Sequence, residues 1–411
     1  MLRFPRRVGA RFVALLRTDP AGVRAGFIAL LISSFGDLIA GVTLAGLDKT
    51  LKNLPGLVIL IPAAIGMRGN VFGALGSRLG TMIHTGTFRV SRRLDTQVGQ
   101  NIAAALVLSL STSVVLAVLA KTVASVFGQT SISIGEFVVI SVIGAVLSSL
   151  VVLLITVGVA AFCATRNLDL DNVAAPIVTA AGDVATLPSL FVGTLLIKSH
   201  GVTAVIGVLC IAAAVLALAW TWRERTLDVG RRIVKESLPI LLVAGAIDLF
   251  AGVTIEHRLD SFLAFPALFV LVPSFLEDSG ALGSILAARI STKLHLGTLE
   301  PSRAPWRAAS EDILLVYVYA VPVFLLLGLS SDIAAAITGY RSPGTLNMVL
   351  VSLVGGFFAT TGAVIVGYYA AVATNRLGLD PDNHGIPIVT SSLDLLGTFS
   401  LILAIVILGL T

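Results

Sequence analysis

The sequence predicts an all-α polytopic membrane protein: two parallel, pseudo-twofold repeats of five transmembrane helices joined by one extra helix, eleven spans in all. The first observation behind this is composition, because 56% of the residues are hydrophobic and only 12% are charged. A soluble domain carries about 25% charged residues, so the composition argues against a cytosolic enzyme. Disorder is excluded as well, because disordered chains are poor in apolar residues. The net charge of +5 therefore indicates membrane orientation rather than nucleic-acid binding.

The second observation is the alternation of basic residues between the eleven apolar stretches, which run from residue 25 to residue 410. With a cytoplasmic N-terminus, 19 of the 28 Lys and Arg fall on cytoplasmic segments and 5 on outside segments. Cytoplasmic loops are enriched in Lys and Arg, so this bias supports the span count. We expect a multi-pass protein of the cell membrane with its N-terminus in the cytoplasm and its C-terminus outside. The basic start lacks the apolar core and cleavage site of a signal peptide.

The third observation is an internal repeat at a constant offset of 211 residues. The segment Asp37–Leu44 matches Asp248–Ile255 at six of eight positions. The same offset aligns six residues of the second span, and it aligns a Pro-Ile-Val-Thr sequence at 176–179 with another at 387–390. Three blocks at one offset indicate a tandem duplication.

The repeat defines the domain organisation. We expect a basic N-terminal segment over 1–24, a five-helix repeat over 25–200, a linking helix over 201–222, a basic cytoplasmic linker over 223–237 and a second repeat over 238–411. Two five-span units joined directly would be inverted relative to one another in the membrane. One extra span between them gives both units the same orientation. A pathway on the axis relating parallel repeats would be lined by equivalent residues of each half.

The fifth span of each repeat carries an aspartate, Asp183 in the first and Asp394 in the second. Thr179 and Thr390 lie four residues earlier, on the same helical face. An ionisable group inside the bilayer is expensive and marks a functional site by default. The pair is therefore predicted to form a cation site, with a polar helix–helix contact as the alternative. Nearby Gly and Pro are expected to loosen the helix and expose carbonyl ligands.

The second spans each contain a proline followed by small and polar residues, at 62–70 and at 273–281. This pattern predicts irregular backbone lining a cavity. Asn70 in the first repeat and Glu277 and Asp278 in the second are the candidate cation ligands there. Arg68 is expected to pair with one of these two acids, and a purely structural ion pair is the alternative.

Four further acids are possible secondary ion sites. Asp37 and Asp248 lie in the first spans, where they either bind an ion or hold arginine or backbone partners. Asp171 and Asp382 precede the fifth spans, where helix capping is the first explanation and attraction of cations the second.

Arg78 and Arg289 lie near the cytoplasmic ends of the second spans. We interpret them as snorkelling anchors, whose stems cross apolar surface while the charge reaches the interface.

These residues resemble a known family. Each half resembles the membrane domain of MgtE-type magnesium transporters, and the tandem arrangement resembles their solute-carrier relatives in animals. The resemblance covers nearly the whole chain and rests on three pieces: Pro62 through Gly69-Asn70 to Ser77-Arg78-Leu79, Asp380-Pro381 followed by Pro387-Ile388-Val389-Thr390, and the aspartate seven residues after that proline.

The resemblance implies a pore between the second and fifth spans of two copies, with the fifth-span aspartate at a magnesium site. It assigns Asp183 and Asp394 to that site and Asn70 as a neighbour. The family typically works as a homodimer, whereas a fused pair leaves both a monomer and a homodimer open. The second repeat departs from the pattern, because Gly280-Ala281 replaces the Gly-Asn pair. The cytosolic sensor domains of bacterial members are also not expected ahead of the first span.

The residue types agree with Mg²⁺, which prefers oxygen ligands and releases its water reluctantly. Mn²⁺ and Co²⁺ stay open, whereas soft metals would want Cys, Met or His. No enzyme motif is present, so transport of divalent cations is the leading hypothesis. The first alternative is a Na⁺- or H⁺-coupled carrier of a small solute. The second is a membrane enzyme acting on lipid or polyprenyl phosphates, with acids at the cytoplasmic face holding Mg²⁺.

Overall fold

The computed structural model describes residues 20–91, 93–166, 170–197, 200–300, 309–378 and 385–410. These residues form thirteen α-helices and no strand. In chain order the helices are α1 Pro20–Ala45, α2 Asp48–Asn53, α3 Leu57–His84, α4 Gln97–Val126, α5 Ile134–Arg166, α6 Leu170–Leu195, α7 His200–Arg223, α8 Asp228–Glu256, α9 Leu259–Ala264, α10 Ala267–His295, α11 Ser310–Thr338, α12 Thr345–Leu377 and α13 Ile386–Ile407.

Among the described residues, ten helices are long and apolar enough to cross a membrane. Helix α1 adds a shorter apolar stretch, Leu30–Ala45. Helices α2 and α9 have six residues each and cannot span a bilayer. The prediction of an all-helical polytopic membrane protein is confirmed.

The duplication is visible in the helix boundaries. Helix α12 begins and ends 211 residues after α5, and α9 begins and ends 211 residues after α2. The sequences of α2 and α9, DKTLKN and LDSFLA, show almost no identity. The short helix is therefore retained where its side chains have diverged.

The predicted backbone irregularity at the inner prolines is wrong. Helix α3 runs continuously through Pro62, and α10 runs continuously through Pro273. Helix α6 is likewise continuous from Leu170 to Leu195, so no break frees its carbonyls. A proline removes one helical hydrogen bond, and tight packing of the surrounding turns tolerates that loss. Residues Leu57–Ala64 are all buried around Pro62.

The chain divides into two compact units that exchange their first helices. The first-repeat unit is Val42–Leu259, and it includes α8, the first helix of the second repeat. The second-repeat unit joins α1 up to Gly41 to the chain from Asp260 onward. The compact units thus cut across the sequence repeats, whose boundaries stay a prediction.

Helix α8 is attached to the first-repeat unit at both of its ends. At its start, Gln100 Oε1 accepts hydrogen bonds from the backbone N–H groups of Val229 (2.9 Å) and Gly230 (3.2 Å). At its end, Glu256 Oε1 accepts from the N–H of Gly56 at 3.1 Å. The first N–H groups of a helix have no partner within it, so Gln100 acts as a cap supplied by another helix.

A glycine in the middle of each exchanged helix permits close contact with the second span. A Cβ on Gly252 of α8 would overlap the carbonyl of Ile59 in α3. A Cβ on Gly41 of α1 would overlap the carbonyl of Val270 in α10. These pairs are related by the 211-residue offset, so each unit contains the same helix contact. Small residues that let backbones approach are the usual means of packing helices in lipid.

Candidate cation site

The fifth-span aspartates occupy related but unequal environments. Asp183 on α6 is 2% exposed, whereas Asp394 on α13 is half-buried. Thr179 and Thr390, one helical turn earlier, are both half-buried. The hydroxyl of Thr390 donates to the carbonyl of Ile386 at 3.1 Å.

The second and fifth helices pack against each other in the same way in both units. A methyl group built on Gly69 of α3 would lie 3.8 Å from Thr179 Cγ2 on α6. A methyl group built on Gly280 of α10 would lie 3.7 Å from Thr390 Cγ2 on α13. The threonine that precedes each aspartate by one turn therefore contacts the polar stretch of the second helix of its own unit.

The candidate ligands on the second helices differ in burial. Asn70 follows the contact glycine and is half-buried, as is Glu277 in the second-repeat unit. Asp278 is completely buried. Its two oxygens lie 2.7 and 2.9 Å from Ser34 Oγ on the exchanged helix α1. Asp278 thus accepts a hydrogen bond from the first helix, and the cation-binding roles of these residues stay predictions.

Arg68 is the largest completely buried side chain of the first-repeat unit, and its hydrogen-bond partners differ from those expected. The expected acid is replaced by neutral acceptors on two other helices. Its Nη1 donates to Ser109 Oγ on α4, and to Ser149 Oγ (2.8 Å) and the carbonyl of Ala145 (3.2 Å) on α5. These oxygens satisfy Nη1 without a carboxylate, whereas Arg68 Nε has no hydrogen-bond partner among the described residues.

The second-repeat unit has different residues at the equivalent positions. The residues at the 211-residue offset from Arg68, Ser109 and Ser149 are Ser279, Ala320 and Thr360. In the same unit, Phe275 on α10 contacts Phe324 on α11, with ring centroids 5.0 Å apart. The arginine and the two serines of the first repeat are therefore not retained in the second.

The first-span acids Asp37 and Asp248 are both completely buried. The hydroxyl of Ser33 donates to Asp37 Oδ2 at 3.5 Å, one turn away on the same helix. Asp382 lies outside the described residues, as does the side chain of Asp171. The secondary ion sites therefore remain predictions.

The interpretation of Arg78 and Arg289 as snorkelling anchors is wrong, because both are held by the third span of their own unit. Arg78 Nε donates to Asn101 Oδ1 at 2.7 Å. Arg289 Nε donates to Asp312 Oδ1 at 2.9 Å, and Lys293 Nζ lies 2.5 Å from the other oxygen of that buried carboxylate.

Sequence reasoning missed these two partners, although a signal for them was present. Asn101 and Asp312 are related by the same 211-residue offset as the two arginines. Extending the alignment into the third spans would have paired them.

No cluster of three His, Cys, Asp or Glu side chains that could hold a metal ion is found in the part of the chain that the structure describes. A dehydrated ion needs a dense ligand set, whereas hydrated Mg²⁺ keeps several waters and needs few protein oxygens. Isolated acids beside threonine and amide oxygens are therefore suited to a hydrated Mg²⁺ ion.

A family model described as "MgtE: Divalent cation transporter" matches the chain twice, over residues 61–193 and 272–404. Together these segments make up more than half of the chain. The chain belongs to the MgtE family. Each matched segment contains the second and fifth helices of one repeat, so the tandem duplication is a duplication of the MgtE domain.

Two similar proteins match most of this chain. Solute carrier family 41 member 3 of Rattus norvegicus is 25% identical over 402 residues, covering 90% of this chain and 84% of the relative. Solute carrier family 41 member 2 of Homo sapiens is 26% identical over 411 residues, covering 92% of this chain and 69% of the relative. No solved structure matches. Membership of the MgtE family supports divalent-cation transport by a multi-pass membrane protein.

Proposed function

We propose that this chain carries Mg²⁺ across the cell membrane along a pathway lined by the second and fifth helices of each repeat, α3 with α6 and α10 with α13. One observation carries the proposal: in both units a threonine one turn before a membrane-embedded aspartate packs against the contact glycine of the second helix. An arrangement retained twice in one chain, beside an acid that is costly in lipid, supports a functional role.

The chemistry of the proposed pathway suits a hydrated divalent cation. Asp183 and Asp394 supply negative charge, while Thr179, Thr390 and Asn70 supply neutral oxygens. A hydrated ion can be bound through its waters by such a sparse set. Mn²⁺ and Co²⁺, which also accept oxygen ligands, are expected to compete.

An orientation and an assembly are part of the proposal. The distribution of basic residues supports a cytoplasmic N-terminus and an outside C-terminus. Because one chain already contains two MgtE domains, we propose that a monomer suffices for transport.

The test is Mg²⁺ uptake into liposomes that contain the purified protein and an internal Mg²⁺ indicator. The variant Asp183→Asn/Asp394→Asn keeps the shape of both side chains and removes their charge. We expect it to lower the initial uptake rate at least roughly tenfold, as loss of a buried charge contact does. The matched control is Asp332→Asn. Asp332 lies on α11, which is not part of the proposed pathway, and it accepts a hydrogen bond from Thr345 Oγ1 at 2.6 Å.

Wild-type uptake by the correctly folded double variant would refute the assignment. A dependence of uptake on an imposed Na⁺ or H⁺ gradient would place the protein among coupled carriers rather than channels.

A further inference from the structure

The second helices, α3 and α10, differ from the other long helices in the side chains that they expose. Among the described residues of these two helices, no large hydrophobic side chain is exposed. Each of the other eight described helices that are long enough to cross a membrane exposes at least one. Helix surfaces that face hydrocarbon are predominantly apolar, because polar groups are costly there. The exposed parts of α3 and α10 therefore do not face lipid.

Exposure on α3 and α10 is confined to their C-terminal halves, which the distribution of basic residues assigns to the cytoplasmic side. Three residues of each helix are exposed, and the two sets are related by the 211-residue offset. They are Ser77, Thr81 and His84 on α3, and Ala288, Thr292 and His295 on α10. Spacings of four and three residues place each set on one side of its helix, which we call the inner face.

The inner face of α3 extends to the depth of the hydrocarbon core. Gly73 lies one turn before Ser77 and is half-buried, yet a Cβ built on it would meet nothing within 4 Å. The 28 residues of α3 span about 42 Å, which is the thickness of a bilayer with its headgroups. Gly73 lies about 16 Å from the end of the helix at His84, well beyond the headgroup layer. There is therefore open space beside α3 inside the membrane.

The N-terminal halves of the same helices are closed. Residues 57–64 of α3 and 267–276 of α10 are all buried. In the first-repeat unit, Gly252 of the exchanged helix α8 lies against the main chain of Ile59. The corresponding glycine of α1 makes the same contact with α10. Backbones in such close contact leave no gap for water, so the exchanged helix covers the outer half of the second helix in each unit.

We propose that the inner faces border water continuous with the cytoplasm, and that the exchanged first helices close the same pathway toward the outside. The inference rests on the proposed function and adds the direction of access. Mg²⁺ reaches the candidate ligands of the second helices from the cytoplasmic side, and its passage to the outside requires α8 and α1 to move. Hydroxyl and imidazole groups on the inner faces can hydrogen-bond to the water shell of a hydrated ion.

An inner face that packs against a second copy of the chain is the alternative explanation for the same exposure. The two cases differ in their reactivity with water-soluble thiol reagents. A cysteine reacts as its thiolate, which forms in water and not in lipid or in a dry protein contact. The rate of modification of an introduced cysteine therefore distinguishes a water-exposed inner face from a covered one.

The experiment places single cysteines in the full chain and measures their reaction with a charged, membrane-impermeant methanethiosulfonate reagent in right-side-out and inside-out vesicles. The test variants are Gly73→Cys on α3 and Ser284→Cys at the equivalent position of α10. Ala63→Cys is the control in the closed half of α3, and Leu150→Cys, exposed in the middle of α5, is the control for lipid. Both natural cysteines are buried, so the wild type gives the background rate.

We expect both inner-face thiols to react from the cytoplasmic side at least roughly tenfold faster than either control. From the outside they should react no faster than the controls. Millimolar Mg²⁺ should slow the reaction from the cytoplasmic side, because the ion competes for the same water-filled space.

Failure of a folded inner-face variant to react from the cytoplasmic side would overturn the proposal, as would equal reaction from both sides. If Gly73→Cys does not fold, Ser284→Cys still decides, because it replaces one oxygen by sulfur. Failure of the proposed function has a different signature. The inner-face thiols would then react from the cytoplasmic side, while Mg²⁺ would neither slow that reaction nor enter liposomes.

Discussion

Gly252 lies against the main chain of Ile59, although the two residues belong to different sequence repeats. The contact is possible only because Gly252 has no side chain, and it fixes α8 to α3 inside the first-repeat unit. The exchange of first helices therefore rests on close backbone packing together with side-chain hydrogen bonds such as those of Gln100 and Glu256.

The first prediction concerns this contact. Gly252→Ala should destabilise the protein by about 1–3 kcal/mol, because the new methyl group must displace the Ile59 carbonyl. The matched control is Gly158→Ala on α5, where an added Cβ meets nothing within 4 Å. That control should be neutral or stabilising, since alanine is the better helix former by about 1 kcal/mol. Thermal unfolding in detergent measures both variants, and equal melting temperatures would contradict the expectation.

A second prediction concerns the start of α8. Gln100→Ala removes the acceptor of two backbone N–H groups, those of Val229 and Gly230. A lost helix cap costs about 1 kcal/mol. We expect a melting temperature several degrees lower, and increased hydrogen exchange over the first turn of α8. Gln97→Ala serves as the comparison, because Gln97 is exposed; a loss of the same size there would remove the capping explanation.

The third prediction concerns Asp312, which is completely buried between Arg289 and Lys293. Asp312→Ala leaves two cations without their shared carboxylate and should cost about 3 kcal/mol. The first repeat shows a neutral alternative, in which Asn101 accepts from Arg78 and a methionine, Met82, stands in place of Lys293.

The double variant Asp312→Asn/Lys293→Met copies that arrangement and should recover at least half of the lost free energy of unfolding. Chemical denaturation of the purified protein would measure the recovery. A double variant no more stable than Asp312→Ala would mean that the two units do not use equivalent contacts here.

A fourth prediction follows from the division into units. Cutting the chain at residues 224–227, between α7 and α8, separates α8 from the rest of the unit that contains it. We expect neither fragment to yield a stable protein alone. The first-repeat unit would lack α8, and the second-repeat unit would lack α1. Co-expression should restore a stable complex that co-purifies through a tag on one fragment. A stable, monodisperse single fragment would contradict the exchange.

The fold class could be predicted from the sequence because it depends on strong, additive signals. Hydropathy over about 20 residues identifies a span without knowledge of its neighbours. The 211-residue offset, visible at Asp37 and Asp248, needed only identity between the halves. The continuous helices through Pro62 and Pro273 were not predicted, because burial by neighbouring helices outweighs the local cost of proline.

The sequence named the residues of the candidate site, whose role in cation binding stays a prediction, but it did not predict their contacts. The spacing of Thr179 and Asp183 fixed a shared helical face, but it could not show that Thr179 packs against Gly69. Arg68 was assigned an acidic partner because acids were the only charged candidates. Its real partners are serines and a carbonyl on α4 and α5, whose proximity depends on three-dimensional packing. The exchange of α1 and α8 could not be predicted, because the sequence of one repeat does not indicate which unit its first helix joins.

The exchanged helices also constrain how such a chain could have originated. In a single-repeat ancestor with the same packing, two copies would have exchanged their first helices. Neither polypeptide would have been complete without the other, so the gene duplication joined two interlaced partners. Fusion then allowed the two copies to diverge, as Arg68 and Ser279 have, without losing the correct pairing.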